Sequence, residues 1–257
     1  MLVSERKSTG RILFGINKQH QTDLDAEKMK LLRHWGKHPW HFISAKDPIT
    51  GNPVINTKDE IEGKVRPYPA EKEYLKELVN DLRQDDIRYR VEETGKKIKI
   101  ANVFLIHKSR QMIVTTTCML VCLWEILFRE AQRVILSKVT EDDAKEILRD
   151  KLRSPWANMP HWIKKALPLT QKPEGRATAE KTGSYVLAAA ENAAERECRG
   201  GTASRLVIDE AAFQDRTKDI FDAGVPMARR ITIITTPLPG SPGGKFVRSC
   251  IFDEDVS

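Results

Sequence analysis

Two adjacent carboxylates close an apolar run in this sequence: Leu206-Val207-Ile208 leads into Asp209 and Glu210, and Ala211-Ala212-Phe213 follows. A strand of this kind carries both acids to one edge of a sheet. Alternation along the strand aims the two side chains differently, which suits two separate jobs. The first acid can orient Mg2+ through its water shell, and the second can polarise a water for attack on a γ-phosphate. That is the Walker B arrangement. A strand end with two solvated acids is the plainer reading, and the apolar run in front of the pair argues against it.

Two further segments have types and spacing that fit the same chemistry. His107 to Thr117 reads HKSRQMIVTTT and sits where an apolar strand gives way to a helix. A helix N-terminus there offers free backbone N–H groups and a positive dipole end to phosphates, and a hydroxyl at Thr115 or Thr116 can hold Mg2+. The segment departs from G-x-x-x-x-G-K-[ST]: it has no glycine, and Val114 stands where the lysine belongs. Taken alone it also reads as a basic strand-to-helix turn of structural use. Ile231 to Pro237, ITIITTP, is a strand ending in Thr235, Thr236 and Pro237. Hydroxyls at such a strand end can sense the loss of a γ-phosphate through hydrogen bonds.

The elements that must position these residues follow from periodicity. Ile98–Ile106, Arg133–Leu136, Ser184–Ala189, Arg205–Ile208 and Ile231–Ile234 are predicted strands. Helices are predicted over Thr115–Arg129, Glu141–Leu152 and Thr217–Ala223. The alternation predicts an α/β fold, a mainly parallel sheet flanked by helices, with ligands at the carboxyl ends of the strands. Upstream, helices are expected near Asp23–Trp35 and over Pro69–Arg83, where Leu75, Leu78, Val79 and Leu82 share one face. Residues 1–65 read as a polar, helical lead-in and 66–257 as the main domain.

Composition narrows the class. The chain has 257 residues and a formal net charge of +7, which suits a polyanionic partner only weakly. Cys118, Cys122, Cys198 and Cys250 form no CxxC pair and have no His at metal-ligand spacing, so reduced core thiols are expected. MLVSERKSTG has no apolar signal core, and Thr115–Phe128 is too short to span a bilayer, so no membrane association is expected. Trp35, Trp40, Trp156 and Trp162 read as packing residues. Lys138, Lys145, Lys151, Lys164 and Lys165 read as helix-side bases on solvated faces, with tracking of a DNA backbone as the alternative.

The three motifs, in this order, resemble the ATPase domain of phage large terminase subunits. The family's loop S-R-Q-x-G-K-T-T is matched by Ser109, Arg110, Gln111, Thr115 and Thr116, whereas Ile113 and Val114 replace its glycine and lysine. Some terminases resemble a variant with the lysine at the front of the loop, where Lys108 stands here. The acidic segment is matched by Val207 to Ala212, the coupling motif by Thr235-Thr236-Pro237, and the glycine-rich loop after it by Gly240 to Gly244. The resemblance covers roughly residues 66 to 252.

It implies a P-loop NTPase fold of the ASCE, RecA-like kind, with ATP and Mg2+ as cofactors. Lys108, Ser109, Arg110, Gln111, Thr115 and Thr116 would bind nucleotide, and Thr115 and Asp209 would hold the metal. Glu210, Arg110 and Lys108 would be catalytic, and Thr235, Thr236 and Pro237 would couple hydrolysis to movement. Tyr68, in Arg66-Pro67-Tyr68-Pro69, would stack on the adenine; a Pro-rich turn opening a helix is the other reading. Arg196 or Arg199 would be candidates for a finger acting in trans. Implied partners are double-stranded DNA, the portal, the small terminase subunit and a homo-oligomeric ring, in the host cytoplasm. The family's C-terminal nuclease is expected to be absent, since Asp253, Glu254 and Asp255 are consecutive rather than gathered from separate strands. The competing readings are a non-hydrolysing DNA- or portal-binding module of the same fold, for which Ile113 and Val114 speak, and a helicase-like ATPase.

Overall fold

The computed structural model describes residues 26–59, 62–84, 88–91, 97–109, 112–170 and 172–252, with backbone alone for 88–91 and 97–100. Helices α1 (Ala26–Lys37) and α2 (Pro39–Ile43) precede a two-stranded ribbon, β1 (Asn56–Lys58) with β2 (Val65–Pro67). Helix α3 (Glu73–Arg83) leads to a second ribbon, β3 (Arg88–Val91) with β4 (Lys97–Ile100). The main unit then alternates: β5 (Asn102–His107), α4 (Val114–Phe128), β6 (Arg133–Lys138), α5 (Glu141–Leu148), a π-turn (Arg149–Arg153), α6 (Ser154–Ala157) and α7 (His161–Ala166). It continues with β7 (Leu169–Thr170), β8 (Arg176–Ala179), β9 (Tyr185–Ala190), α8 (Glu191–Arg199) and β10 (Ala203–Asp209). A 3-10 turn (Ala211–Phe213), α9 (Thr217–Gly224), β11 (Ala228–Thr235) and α10 (Pro242–Phe252) complete it.

Seven strands form one sheet in the order β5-β11-β10-β6-β9-β8-β7. The first five are parallel, and β8 and β7 extend the sheet antiparallel. The register puts Thr235 beside His107, Ile234 beside Asp209 and Ile208 beside Ser137. The three motifs therefore arrive at one edge, the carboxyl ends of the strands, where open α/β sheets bind ligands.

Both faces of the sheet are covered, and this explains the apolar strands. All seven residues of β10 are buried. Val207 and Ile234 join one core with α4, whereas Leu206, Ile208, Ile231 and Ile233 join another with α8, α9 and α10. That is period-two alternation with both sides apolar. Every residue of α4 is buried, as an all-round apolar helix requires. Leu32, Trp35, Phe42, Val54 and Ile55 share the core with α4, so the lead-in from residue 26 packs on the same unit. Trp35 stacks on Trp162, and Trp40, Trp156 and Trp162 pack partly buried against this core, in keeping with packing roles. The four cysteines are free, and Cys118, Cys122 and Cys198 are buried.

One polar group interrupts the core. Glu125 of α4 is wholly buried and pairs with two arginines at the starts of neighbouring strands: Arg205 Nε at 3.1 Å and Arg230 Nη2 at 2.8 Å. Arg205 also donates to the Leu82 carbonyl at 2.6 Å and to Thr232 Oγ1 at 3.1 Å. Burial opposes ionisation of Glu125, but Arg230, then Arg205 and Arg129, outweigh it and hold the carboxyl down to about 2.

The expected strand Ile98–Ile106 is two strands. Its first part pairs in the β3–β4 ribbon, and Ala101 separates it from β5. The expected helix Glu141–Leu152 is α5 continued by the π-turn.

Candidate active site

The loop after β5 is tied down at its start and strained at its end. The Lys108 N–H donates to the Thr235 carbonyl at 2.9 Å, joining the loop to the end of β11. Ile113, where the resembling family has glycine, sits at φ 56° and ψ 12° as the N-cap of α4. Few β-branched residues adopt this left-handed conformation. Ile113 nonetheless takes it, at a cost of order 1–3 kcal/mol. Val114, at the lysine position, is buried in the core beneath the loop.

Two residues on, Thr115 Oγ1 donates to Asp209 Oδ1 at 3.0 Å. A hydroxyl and a carboxylate are both hard oxygen donors, the pair that suits Mg2+ with water completing its octahedron. Among the described residues no group of three or more His, Cys, Asp or Glu could hold a metal.

Glu210 is also strained, at φ 55° and ψ 41°. Its side chain is half exposed, and Oε2 accepts from Lys138 Nζ at 2.5 Å. Lys138 also lies 3.4 Å from Asp209 Oδ2. Burial works against its charge, but Asp209 and then Glu210 outweigh it and raise the ammonium above the usual lysine range. Gln214, fully buried, fixes the two strand ends: it accepts from Ser137 Oγ at 2.8 Å and donates to the Asp209 carbonyl at 2.8 Å.

Thr235 is brought to the acidic turn. It is buried, and its Oγ1 accepts from the Ala212 N–H at 3.0 Å and donates to the Thr236 carbonyl at 2.9 Å. Thr236 is half-buried and Pro237 exposed. Ser241 donates to the Ala212 carbonyl, which docks α10 on the same turn. A Cβ at Gly243 would run into the carbonyl oxygens of Ala211 and Gln214, so this close approach requires the glycine.

The remaining expected residues are less uniform. Arg110 and Gln111 lie outside the described residues, as do Asp253, Glu254 and Asp255. Lys108 is half-buried and Ser109 exposed. Thr116 lines a cavity of about 300 Å³ with Ile113, Pro67 and Pro69. Tyr68 corrects an expectation. It is 4% exposed, and its hydroxyl shares a 2.8 Å hydrogen bond with Thr117 Oγ1. The ring is a strut between the Pro-rich turn and α4 and offers no face to an adenine. Arg199 pairs with Glu195 of its own helix, and Arg196 is exposed. Both precede the start of β10, a strand length of about 20 Å from Asp209, so a role at this site would need a second copy of the chain.

Lys138 and Gln214 are the residues that sequence reasoning missed. Periodicity ends the strand at Leu136, which leaves Lys138 among the helix-side bases. The strand runs two residues further, and its last residue is a buried lysine beside the acids. Of the five lysines read as helix-side bases it alone ends a strand.

No known family profile matches the sequence, and no curated protein is similar to it. Solved structures are similar in shape. The large terminase of bacteriophage HK97 superposes with a TM-score of 0.55 over 86% of this chain, at 12% identity. Over the part matched, the chain has the fold of that large terminase. It spans 42% of the length of that HK97 chain. The ATPase domain of the Thermus phage P74-26 large terminase is matched over 68% of this chain and 72% of its own length, at 14% identity and a TM-score of 0.40. The large terminase of a further thermophilic bacteriophage, in complex with ADP, is matched over 64% of this chain and 39% of its own, at 12% identity and a TM-score of 0.41. The three motifs lie at the carboxyl ends of a mainly parallel seven-stranded sheet.

Proposed function

We propose that this chain is the ATP-hydrolysing motor region of a phage large terminase, which drives double-stranded DNA into a procapsid. The observation that carries the reading is the 3.0 Å hydrogen bond between Thr115 and Asp209, which closes a hydroxyl–carboxylate pair across 94 residues at the carboxyl edge of the sheet. Thr115 and Asp209 would hold Mg2+, which when bound neutralises phosphate charge. Lys108, Ser109, Arg110, Gln111 and Thr116 would surround the phosphates with charge and hydroxyls. Glu210 would take the proton of the attacking water, and its strained backbone fits a residue held for function rather than for packing. Thr235, hydrogen-bonded to the turn after Glu210, would pass a change in that turn into β11 and on to Thr236 and Pro237.

The cavity beside Thr116, Pro67 and Pro69 would take the base and ribose, a task that Tyr68 supports from beneath. Portal, small terminase subunit and a ring of copies of the chain would be the partners, assembled in the host cytoplasm. No helix among the described residues is long and apolar enough to cross a membrane.

A non-hydrolysing module of the same fold is the second reading, and Val114 in place of the loop lysine is what favours it. Against it stand the acidic pair and Lys138, which brings a cation to the site from another strand.

A packaging motor must accept every sequence it meets, so DNA binding should be electrostatic and independent of sequence. Two unrelated duplexes of equal length, titrated against the chain at rising salt, test this. Equal affinities are expected, with log K falling on log[salt] at about −0.9 per neutralised phosphate. Binding that ignores salt, or that prefers one duplex strongly, would contradict the motor reading.

A further inference from the structure

We propose that Lys138 is a further γ-phosphate cation of this site, adding from β6, beside Lys108 and Arg110, charge that Val114 leaves out of the loop. The inference rests on the reading of the site as a nucleotide site. Three observations carry it. First, the loop position next to Thr115 is a buried valine, so the terminal phosphate meets no lysine from the start of α4. Second, Lys138 stands at the end of β6 with a side chain 7% exposed, and its ammonium touches both acids, Asp209 Oδ2 at 3.4 Å and Glu210 Oε2 at 2.5 Å. Thr115 Oγ1 holds the other oxygen of Asp209. The ammonium is thus one carboxylate away from the hydroxyl that would face Mg2+, on the side where Glu210 would address the attacking water. Third, Lys138 also lines a cavity of about 480 Å³, with Lys58, Asp59, Asp143 and Asp150 among its walls.

A buried lysine is rarely placed without a partner. Here its partners are the two groups whose charge balance changes when a nucleotide enters. With Thr115 and Asp209 committed to a divalent ion, Lys138 would lose one of its two anionic partners. The terminal phosphate would be the strongest anion within its reach. Lys138 would then swing from the acids to a γ-oxygen on its four-carbon stem, a movement its flexibility allows. The same movement would release Glu210 from its ion pair and leave it able to accept a proton. Ser137, held by Gln214 to the Asp209 carbonyl, fixes the root of that stem relative to the acids.

A γ-phosphate contact has a signature that a packing or folding role lacks: it separates ATP from ADP. The test is calorimetric titration of the intact chain with Mg2+, using ADP and an ATP analogue with a nitrogen bridge between the β- and γ-phosphorus. Wild type, Lys138→Met, which keeps the apolar stem, and Lys138→Arg, which keeps the charge, are compared. Lys138→Met is expected to weaken the triphosphate by about 10- to 100-fold and ADP by no more than about threefold, with Lys138→Arg recovering most of the loss. Retained ADP binding shows that the variant is folded. Equal losses for both nucleotides, or none for either, would overturn the assignment while leaving the nucleotide site intact. Failure of the wild type to bind either nucleotide would overturn the nucleotide reading, and this inference with it.

Discussion

Glu210→Gln is expected to lower ATP turnover by about 10²- to 10⁴-fold, the usual cost of losing a general base, with nucleotide still bound. Glutamine has the same shape and keeps an oxygen for the Lys138 ammonium, which now donates to Glu210 Oε2 at 2.5 Å. Asp209 and Thr115 are untouched, so the pair proposed to hold Mg2+ survives. What is lost is the capacity to take up a proton. The defect should therefore fall on kcat and leave KM within a few-fold, the pattern of an interaction used only in the transition state. Steady-state phosphate release over a range of ATP concentrations separates the two constants. A variant with wild-type kcat would remove Glu210 from the mechanism, and a rise in KM alone would make it a binding residue.

Glu125→Gln should destabilise the fold by about 3–5 kcal/mol, because it removes the buried carboxylate that two buried arginines share. Arg205 and Arg230 both meet Glu125 at zero solvent exposure, and they root β10 and β11 against α4, the three elements that carry the site. Urea denaturation of the two proteins measures the difference. A triple replacement of Glu125, Arg205 and Arg230 by Leu, Met and Met should cost much less than the single change, since apolar side chains of similar volume need no partners. A single variant as stable as wild type would show that the triad contributes nothing.

The same group sets an acid limit. Its folded carboxyl lies at about 2, below its ordinary value of 4.5. A depressed carboxyl contributes its stability above the unfolded value and loses it as pH falls toward the folded one. The triad's contribution should accordingly be whole above about pH 4.5 and decline from there toward pH 2. The pH dependence of the urea midpoint should flatten in that window in Glu125→Gln.

The α/β layering was legible because strands buried on both faces read as near-continuous apolar runs, as Leu206 to Ile208 and Ile231 to Ile234 do. The acidic pair was legible for the same reason, since an apolar run that stops at two carboxylates marks a strand end. The β7 and β8 extension was not, because two- and four-residue strands of mixed polarity have too little periodicity to count. Glu125 is a charge in an apolar helix, but its partners are 80 and 105 residues away, and only the sheet order joins them. Tyr68 was misplaced because an aromatic between prolines reads the same whether its ring faces a ligand or a core. Lys138 was missed because one lysine after a short strand looks like any solvated base until β6 is seen beside β10.

Phosphate release from ATP by the unaltered chain, with Mg2+ and again with excess chelator, tests the central claim most directly. The account predicts steady hydrolysis that needs Mg2+ and disappears in Asp209→Asn, because Thr115 would then face an amide where the carboxylate proposed to bind the metal stood. An unaltered chain that folds, binds nucleotide with Mg2+ and yet releases no phosphate, alone or with duplex DNA, would contradict it and leave the non-hydrolysing module as the reading that stands.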